Sequence, residues 1–280
     1  MGGVFPPVIG RQSELRFLRA CLAAGRHVLL EGPVGVGKTA LARAVAHELA
    51  RGVVRVDGDG RYSEQKLMGM FDPPAVLERG YQAESFLPGP LTTAMRQGSV
   101  LFINELNRMP EGVQNVLLPA MDEGMVMLPH LGEVRAQPTF VVVATMNPRE
   151  FVATGHLSEA LLDRFELIRL LPQSEADEIA IVTQVARPSG ISPEIITGAV
   201  ALTRATRESP RIRRGASVRA AIAMAEICHA LGGVDHLMEA AALALPTRIE
   251  LTEETPEGWR LFLDELDSAK KKIFAAPVRT

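Results

Sequence analysis

Eight consecutive residues carry the clearest chemistry in the chain. Gly32-Pro33-Val34-Gly35-Val36-Gly37-Lys38-Thr39 follows the pattern GxxxxGK-Ser/Thr. Glycines at these positions let backbone N–H groups wrap closely around phosphate oxygens. A helix opening at Lys38 adds the positive end of its dipole. Lys38 is expected to reach the β- and γ-phosphates of a nucleoside triphosphate, and Thr39 to ligate Mg²⁺. The expected nucleotide-binding run is Gly32, Pro33, Val34, Gly35, Val36, Gly37, Lys38, Thr39 and Ala40.

A second segment supplies polar groups at the end of an apolar run. Val100-Leu101-Phe102-Ile103 leads into Asn104-Glu105. Ligands bind at the carboxyl ends of parallel strands, so both side chains are expected to face the phosphate loop. Glu105 can act as general base on the water that attacks the γ-phosphate. Position 104 is where an acid is expected, and it is Asn. An amide can accept a bond from a Mg²⁺-bound water, so Asn104 is a candidate metal-site residue with Thr39, but it brings no charge. Slow hydrolysis and binding without hydrolysis both stay open. Asn104→Asp is expected to tighten Mg²⁺·ATP binding. Unchanged Mg²⁺ dependence in that variant would mean that Asn104 does not face the metal.

These residues need a scaffold that holds strand ends side by side. Short apolar runs at 27–31, 53–56, 99–103, 139–144 and 166–170 read as strands, and 38–50 and 111–123 read as helices. In 38–50, Leu41, Val45 and Leu49 form one stripe; in 111–123, Val113, Leu117 and Ala120 are expected to be core. Fully apolar strands separated by helices imply a parallel sheet covered on both faces. Residues 58–98 are rich in Gly and Pro and are expected to be irregular, with short helical pieces. Residues 125–128 and 133–135 flank Pro129-His130-Leu131-Gly132 and read as a hairpin. After Pro172 the pattern changes: only helical stretches are expected, near 174–187, 193–207, 216–232 and 236–246, with no strand. The tail from Ala269 is expected to be loosely ordered. The α/β reading is thus a nucleotide-binding domain over 1–172, a helical lid over 173–268 and a flexible tail over 269–280.

With both motifs in place, the chain from Val8 to Leu251 resembles the MoxR family of AAA+ ATPases. Val8-Ile9-Gly10-Arg11 is similar to that family's N-linker box, which implies that Ile9 and Gly10 lie near adenine. Gly89-Pro90-Leu91 and Asn104-Glu105-Leu106-Asn107-Arg108 are similar to its GPL and DEINR segments. Ala144-Thr145-Met146-Asn147-Pro148 looks like the sensor 1 strand end, which implies that Asn147 orients the attacking water. Leu162-Asp163-Arg164-Phe165 is similar to the LDRF segment, which implies that Arg164 is an arginine finger acting on a neighbouring subunit. Gly215-Ala216-Ser217-Val218-Arg219-Ala220 is close to the GASPRA sensor 2 segment, which implies that Arg219 couples nucleotide state to the lid. Thr247-Arg248-Ile249 sits where the family often has His-Arg-Ile. The departures are Asn104 for Asp, Val218 for Pro and Thr247 for His, and only the first touches chemistry. The resemblance implies an αβα sandwich with a helical lid. It also implies ATP and Mg²⁺ as cofactors and a homo-oligomeric ring, a hexamer. Partners with a von Willebrand factor A domain and a role in remodelling or maturing protein complexes follow from it too. Residues 58–98 are similar to the helix-2 insert of this clade, and 125–138 to its hairpin before sensor 1. Exposed Met68, Met70 and Phe71 would suit a grip on polypeptide, or pack locally.

Composition limits the alternatives. The chain has 280 residues, 47% hydrophobic and 22% charged, with a net charge of −3. That is globular usage, and it disfavours a protein that coats nucleic acid. A DNA translocase would need bases on the hairpin, yet 125–138 holds one Arg, one Glu and one His. No apolar run approaches the roughly 18 residues of a membrane span, and no leader is visible. Cys21 and Cys228 are far apart, form no CxxC pair and are expected to be small core hydrophobes; the six His show no HExxH-like spacing. All this fits a cytoplasmic setting. The net charge hides a cancellation. Residues 204–219 hold six Arg against Glu208, or +5, and residues 235–268 hold nine acids against Arg248 and Arg260, or −7. Such patches are expected to guide contact between neighbours in a ring. A nucleotide-gated assembly subunit without hydrolysis remains the alternative to an active ATPase.

Overall fold

The apolar run at 100–103 is flanked on both sides by strands of the same direction, which accounts for its lack of polar residues. The computed structural model describes residues 8–147 and 157–275. Five strands, β1 (His27–Glu31), β2 (Val53–Asp57), β5 (Val100–Asn104), β8 (Val141–Met146) and β9 (Phe165–Arg169), form one sheet in the order β2-β5-β8-β1-β9. All neighbours run parallel, with Leu29 opposite Ala144 and Leu101 opposite Val142. Every residue of β8 is buried.

Helices join the strands of the first unit, and one precedes them. They are α1 (Gln12–Ala23), α2 (Lys38–Glu48), α3 (Glu64–Met68), α4 (Pro73–Arg79), α5 (Pro90–Gln97), α6 (Glu111–Asn115), α7 (Leu117–Asp122) and α8 (Glu159–Leu162). Helix α1 goes beyond the sequence reading; Leu15, Leu18 and Leu22 are its buried stripe. The single helix expected over 111–123 is two. Pro119 has no N–H to give the carbonyl of Asn115, and α6 and α7 meet at Val116. The segment 58–98 is more regular than expected. It holds an antiparallel pair, β3 (Gly69–Phe71) and β4 (Phe86–Pro88), with Phe71 opposite Phe86. Strands of three residues are too short to leave an alternation in the sequence. The hairpin forms as read, from β6 (Met125–Leu128) and β7 (Gly132–Arg135).

The chain divides into two units between Leu171 and Pro172, with the loop residues Val34–Val36 grouping with the second. The second unit holds α9 (Glu175–Val185), α10 (Pro193–Glu208), α11 (Val218–Ala230), α12 (Leu237–Ala244) and α13 (Pro256–Ala275). Its core includes Ala199, Leu202, Ala221, Met224, Ala241 and Phe262. The expectation of no strand after 172 is corrected: β10 (Ile212–Arg214) and β11 (Glu250–Leu251) pair antiparallel, again too short to read in sequence. The tail expected to be loose from Ala269 continues α13 to Ala275. Phe262 and Leu266, one turn apart, are buried and anchor this helix.

The arginine run of this unit pairs with acids of the same unit, in part with the acidic stretch 235–268. Glu178, 3% exposed, accepts from Arg207 at 2.7 Å and Arg204 at 3.3 Å. Arg211 pairs with Glu265 at 3.6 Å, and Arg213 with Glu250 at 3.2 Å. Intramolecular pairing thus engages much of the arginine run. Cys228 is buried as expected, Cys21 only partly, and both are free thiols. Among the described residues no helix is long and apolar enough to cross a membrane, and no group of three His, Cys, Asp or Glu could hold a metal ion.

Candidate functional site

The phosphate loop leaves β1 and enters α2 through two left-handed glycines, Gly35 (φ 85°) and Gly37 (φ 93°). A side chain at either would be strained. Gly37 is the N-cap of α2 and has no side chain to cap the first turn. Lys38 is only 8% exposed. Its ammonium donates to Gly32 O at 2.5 Å, Pro33 O at 2.9 Å and Asn147 Oδ1 at 2.9 Å. These three acceptors are neutral, so a phosphate is a stronger partner for the same cation. Thr39 is half-buried and Ala40 exposed, both in the first turn of α2.

Asn147 follows β8 and ties the loop to the end of β5. Its Nδ2 donates to Glu105 Oε1 at 3.4 Å while its Oδ1 accepts from Lys38. Glu105 is held in a left-handed backbone conformation (φ 55°, ψ 51°). Its N–H donates to Thr145 Oγ1 at 2.9 Å, which fixes that turn. The structure therefore brings Lys38, Asn147 and Glu105 into one hydrogen-bonded line at three adjacent strand ends. Glu105 Oε2 also accepts from Arg108 at 2.6 Å. That ion pair competes for the lone pair that a general base needs.

Asn104 bridges two strands. Its Oδ1 accepts from Thr145 Oγ1 at 3.1 Å, and its Nδ2 donates to Asp57 Oδ1 at 3.0 Å. Arg55 grips the same carboxylate through Nη2 at 2.8 Å and Nε at 3.1 Å. The guanidinium of Arg55, with the Asn104 amide, holds the Asp57 carboxyl below its ordinary range. Asp57, Arg108 and Thr145 join the site beyond the residues the sequence singles out. The apolar run 53–56 stops at Val56, whereas the strand extends one residue further, to Asp57, opposite Asn104.

The remaining candidates stand apart from this line. Arg164 is paired within its own chain. Its Nε donates to Asp122 Oδ1 at 2.6 Å, and it also contacts Asp122 Oδ2 and Ala160 O. Its near neighbour Glu166 is held instead by Arg26 at 2.8 Å. Arg219 lies exposed in the first turn of α11, in the second unit. Ile9 is half-buried and Gly10 exposed, next to Arg11, which is 5% exposed and donates to Leu171 O at 2.6 Å. Pro148 of the sensor 1 segment lies outside the described residues. Of the apolar residues in 58–98, Phe71 packs against Tyr81 (5.0 Å), Phe86 (5.4 Å) and His130 (5.9 Å), while Met70 is exposed, as is Met127 on the hairpin.

The donor set suits a magnesium nucleotide. With no cluster of three acids among the described residues, a divalent ion would depend on Thr39, water and substrate phosphates, which is how Mg²⁺ is commonly held beside phosphates.

Comparison with known proteins fixes the fold. Residues 27–165 match the family model of the AAA domain, dynein-related subfamily. Gas vesicle ATPase GvpN of Haloferax mediterranei is 34% identical over 231 residues, 77% of this chain and 65% of the relative. Gas vesicle ATPase GvpN2 of Halobacterium salinarum is 32% identical over 225 residues, 75% of this chain and 64% of the relative. The chain thus spans just under two thirds of the length of these relatives. Among solved structures, NtrX from Brucella abortus in complex with ADP has a TM-score of 0.58 at 17% identity, covering 93% of this chain and 62% of that one. A Thermotoga maritima RuvB mutant has a TM-score of 0.57 at 20% identity, covering 84% and 70%. The fold is the α/β AAA+ fold: a parallel five-stranded sheet with flanking helices, followed by a helical region.

Proposed function

We propose that this AAA+ chain is an ATP phosphohydrolase of the MoxR type, which works in a homo-oligomeric ring to remodel or mature protein complexes. The observation that carries the reading is the line Lys38–Asn147–Glu105, which joins a phosphate-binding cation to a base through one amide. The ATPase names of the gas vesicle relatives support it.

In this reading Lys38 exchanges its three neutral acceptors for β- and γ-phosphate oxygens. Asn147 orients a water. That oxygen attacks the γ-phosphorus, the bond to the β-phosphate oxygen breaks, and Glu105 takes the proton, leaving ADP and inorganic phosphate. Thr39 and, through water, Asn104 would hold Mg²⁺, which supplies charge neutralisation on the phosphates. Arg108 must leave Glu105 before the base is free. Arg164 must likewise exchange Asp122 for the nucleotide of a neighbouring subunit, and Arg219 couples the second unit to nucleotide state. A trans arginine finger contributes about 10³–10⁵ in rate, so a monomer would hydrolyse poorly.

The insert and hairpin are the client-facing parts of this proposal, with exposed Met70 and Met127 as adaptable contacts. On the hairpin Arg135 pairs with Glu133, which leaves little charge to meet a DNA backbone and disfavours a translocase. The partners are a protein client and a von Willebrand factor A domain protein, with no role for a membrane, in the cytoplasm. A second reading, a nucleotide-gated subunit without turnover, is favoured by neutral Asn104 and by the Arg108–Glu105 pair.

Mass measurement by size exclusion with ATP, paired with turnover of wild type, Lys38→Ala and Arg164→Ala, tests the proposal. It expects an ATP-dependent ring and loss of turnover in both variants. Full activity in Lys38→Ala sinks the ATPase reading. Equal per-subunit activity in a monomer sinks the trans finger.

A further inference from the structure

Asn104 stands where a carboxylate is expected, and a carboxylate lies beside it. Strands β2 and β5 run in parallel register with Asp57 opposite Asn104. The side chains meet through Asn104 Nδ2 and Asp57 Oδ1 at 3.0 Å. The backbones meet too: Gly58 N–H donates to Asn104 O at 2.7 Å. A Cβ at Gly58 would collide with the Glu105 carbonyl, so the approach requires glycine. The Asp57–Gly58 turn is thus clamped to the Asn104–Glu105 turn by one side-chain bond and one backbone bond.

The donor set decides which way the amide points. A carboxylate only accepts hydrogen bonds, so the NH₂ of Asn104 must face Asp57. Its carbonyl oxygen must then face away, toward Thr145 at 3.1 Å. Thr145 is on β8, which lies between β5 and β1, and β1 leads into the phosphate loop. The Thr145 hydroxyl oxygen accepts from Glu105 N–H, so its own hydrogen serves Asn104 Oδ1. Oδ1 keeps its second lone pair.

We propose that Asp57 is the positioning residue of this strand end. It holds Asn104 with its oxygen, rather than its NH₂, toward the phosphate loop, as the acceptor for a magnesium-bound water. The Asp57 charge is itself paired with Arg55 at 2.8 Å, so what Asp57 contributes here is orientation of the amide rather than charge at the metal. This rests on the ATPase reading. It also revises the simple expectation for Asn104→Asp. That substitution alone sets two carboxylates at the distance now spanned by the 3.0 Å bond, and their repulsion offsets the gain at the metal.

The test is binding of a fluorescent ATP analogue, mant-ATP, to the full chain in EDTA and in rising Mg²⁺. The variants are Asp57→Asn, Asp57→Ser, Asn104→Asp and the double swap D57N/N104D, each checked by thermal melt. Asn or Ser at 57 can donate as well as accept, so the Asn104 amide is freed to flip. Both are expected to weaken the Mg²⁺-dependent part of binding about fivefold and to leave binding in EDTA unchanged. Asn104→Asp alone is expected to gain under about twofold, and the double swap about tenfold over it. Wild-type Mg²⁺ dependence in both Asp57 variants, or effects that simply multiply in the double swap, overturns the inference while nucleotide binding stands. A wild type that binds no nucleotide in either condition overturns the ATPase reading, and this inference with it.

Discussion

The end of β1 and the end of β5 treat the same nucleotide chemistry in different ways. At the end of β1 every required residue type is in sequence order: glycines that open the backbone, then Lys38 and Thr39 at a helix start. At the end of β5 the parts are redistributed. The carboxylate nearest to Asn104 sits on β2 at Asp57, paired with Arg55, and the proposed base Glu105 is shared between Asn147 and Arg108. In the proposed reading, binding chemistry is local to one turn, whereas turnover chemistry is spread over three strand ends. The two regions should therefore fail separately when perturbed.

Lys38→Ala attacks the binding end and has the largest expected effect. It removes a cation that a phosphate would engage, and affinity for ATP should fall at least about 100-fold. Calorimetric titration checks this; affinity near wild type would mean that Lys38 does not meet the phosphates.

Gly58→Ala attacks the other end. The added methyl meets the backbone of Glu105 and Asn104, so the turn must shift, at a cost of about 1–3 kcal/mol in stability. Turnover should drop about tenfold with ADP affinity kept within about twofold. A parallel loss of ADP affinity would show that the two ends are not separable.

Arg108→Ala is gentler. The Arg108–Glu105 pair is half-exposed, and such pairs contribute about 0.2–1 kcal/mol. Freeing the base should raise turnover about twofold to threefold, read in a phosphate-release assay. A fall would mean that Arg108 assists the reaction rather than restraining Glu105.

The smallest effect is a pH dependence at the start of β1. His27 Nδ1 accepts from Val142 N–H at 2.9 Å, and its Nε2 bonds Met121 O at 3.2 Å. An imidazolium could not accept from Val142. Burial, aided by the nearby Arg26, pushes the imidazole below its ordinary value against the opposing pull of Met121 O and Asp122. The unfolded chain then takes up the proton first. Stability is full above about pH 6.5 and falls as pH drops from there toward the depressed folded value. His27→Gln should flatten the dependence of melting temperature on pH between 7.5 and 5.5; an unchanged slope would assign it to other groups.

The sheet was legible because parallel strands covered on both faces leave apolar runs, as in Val100–Asn104. The phosphate loop was legible because its chemistry needs adjacent residues. What escaped was short or distant. Three-residue strands such as Gly69–Phe71 and Ile212–Arg214 leave no period to read. The partners of Arg164 and Asn104 lie about forty residues away and are chosen by packing, so Asp122 and Asp57 carried no signal of their own. Arg108 was in view within its motif, but its grip on Glu105 depends on the left-handed turn at that residue.

Glu105→Gln tests the central claim most directly. ATP affinity and single-turnover phosphate release are measured side by side with wild type. The account predicts affinity within about twofold and release slowed about 10²–10⁴-fold, the range of a lost general base. Equal release rates in the two proteins would contradict it.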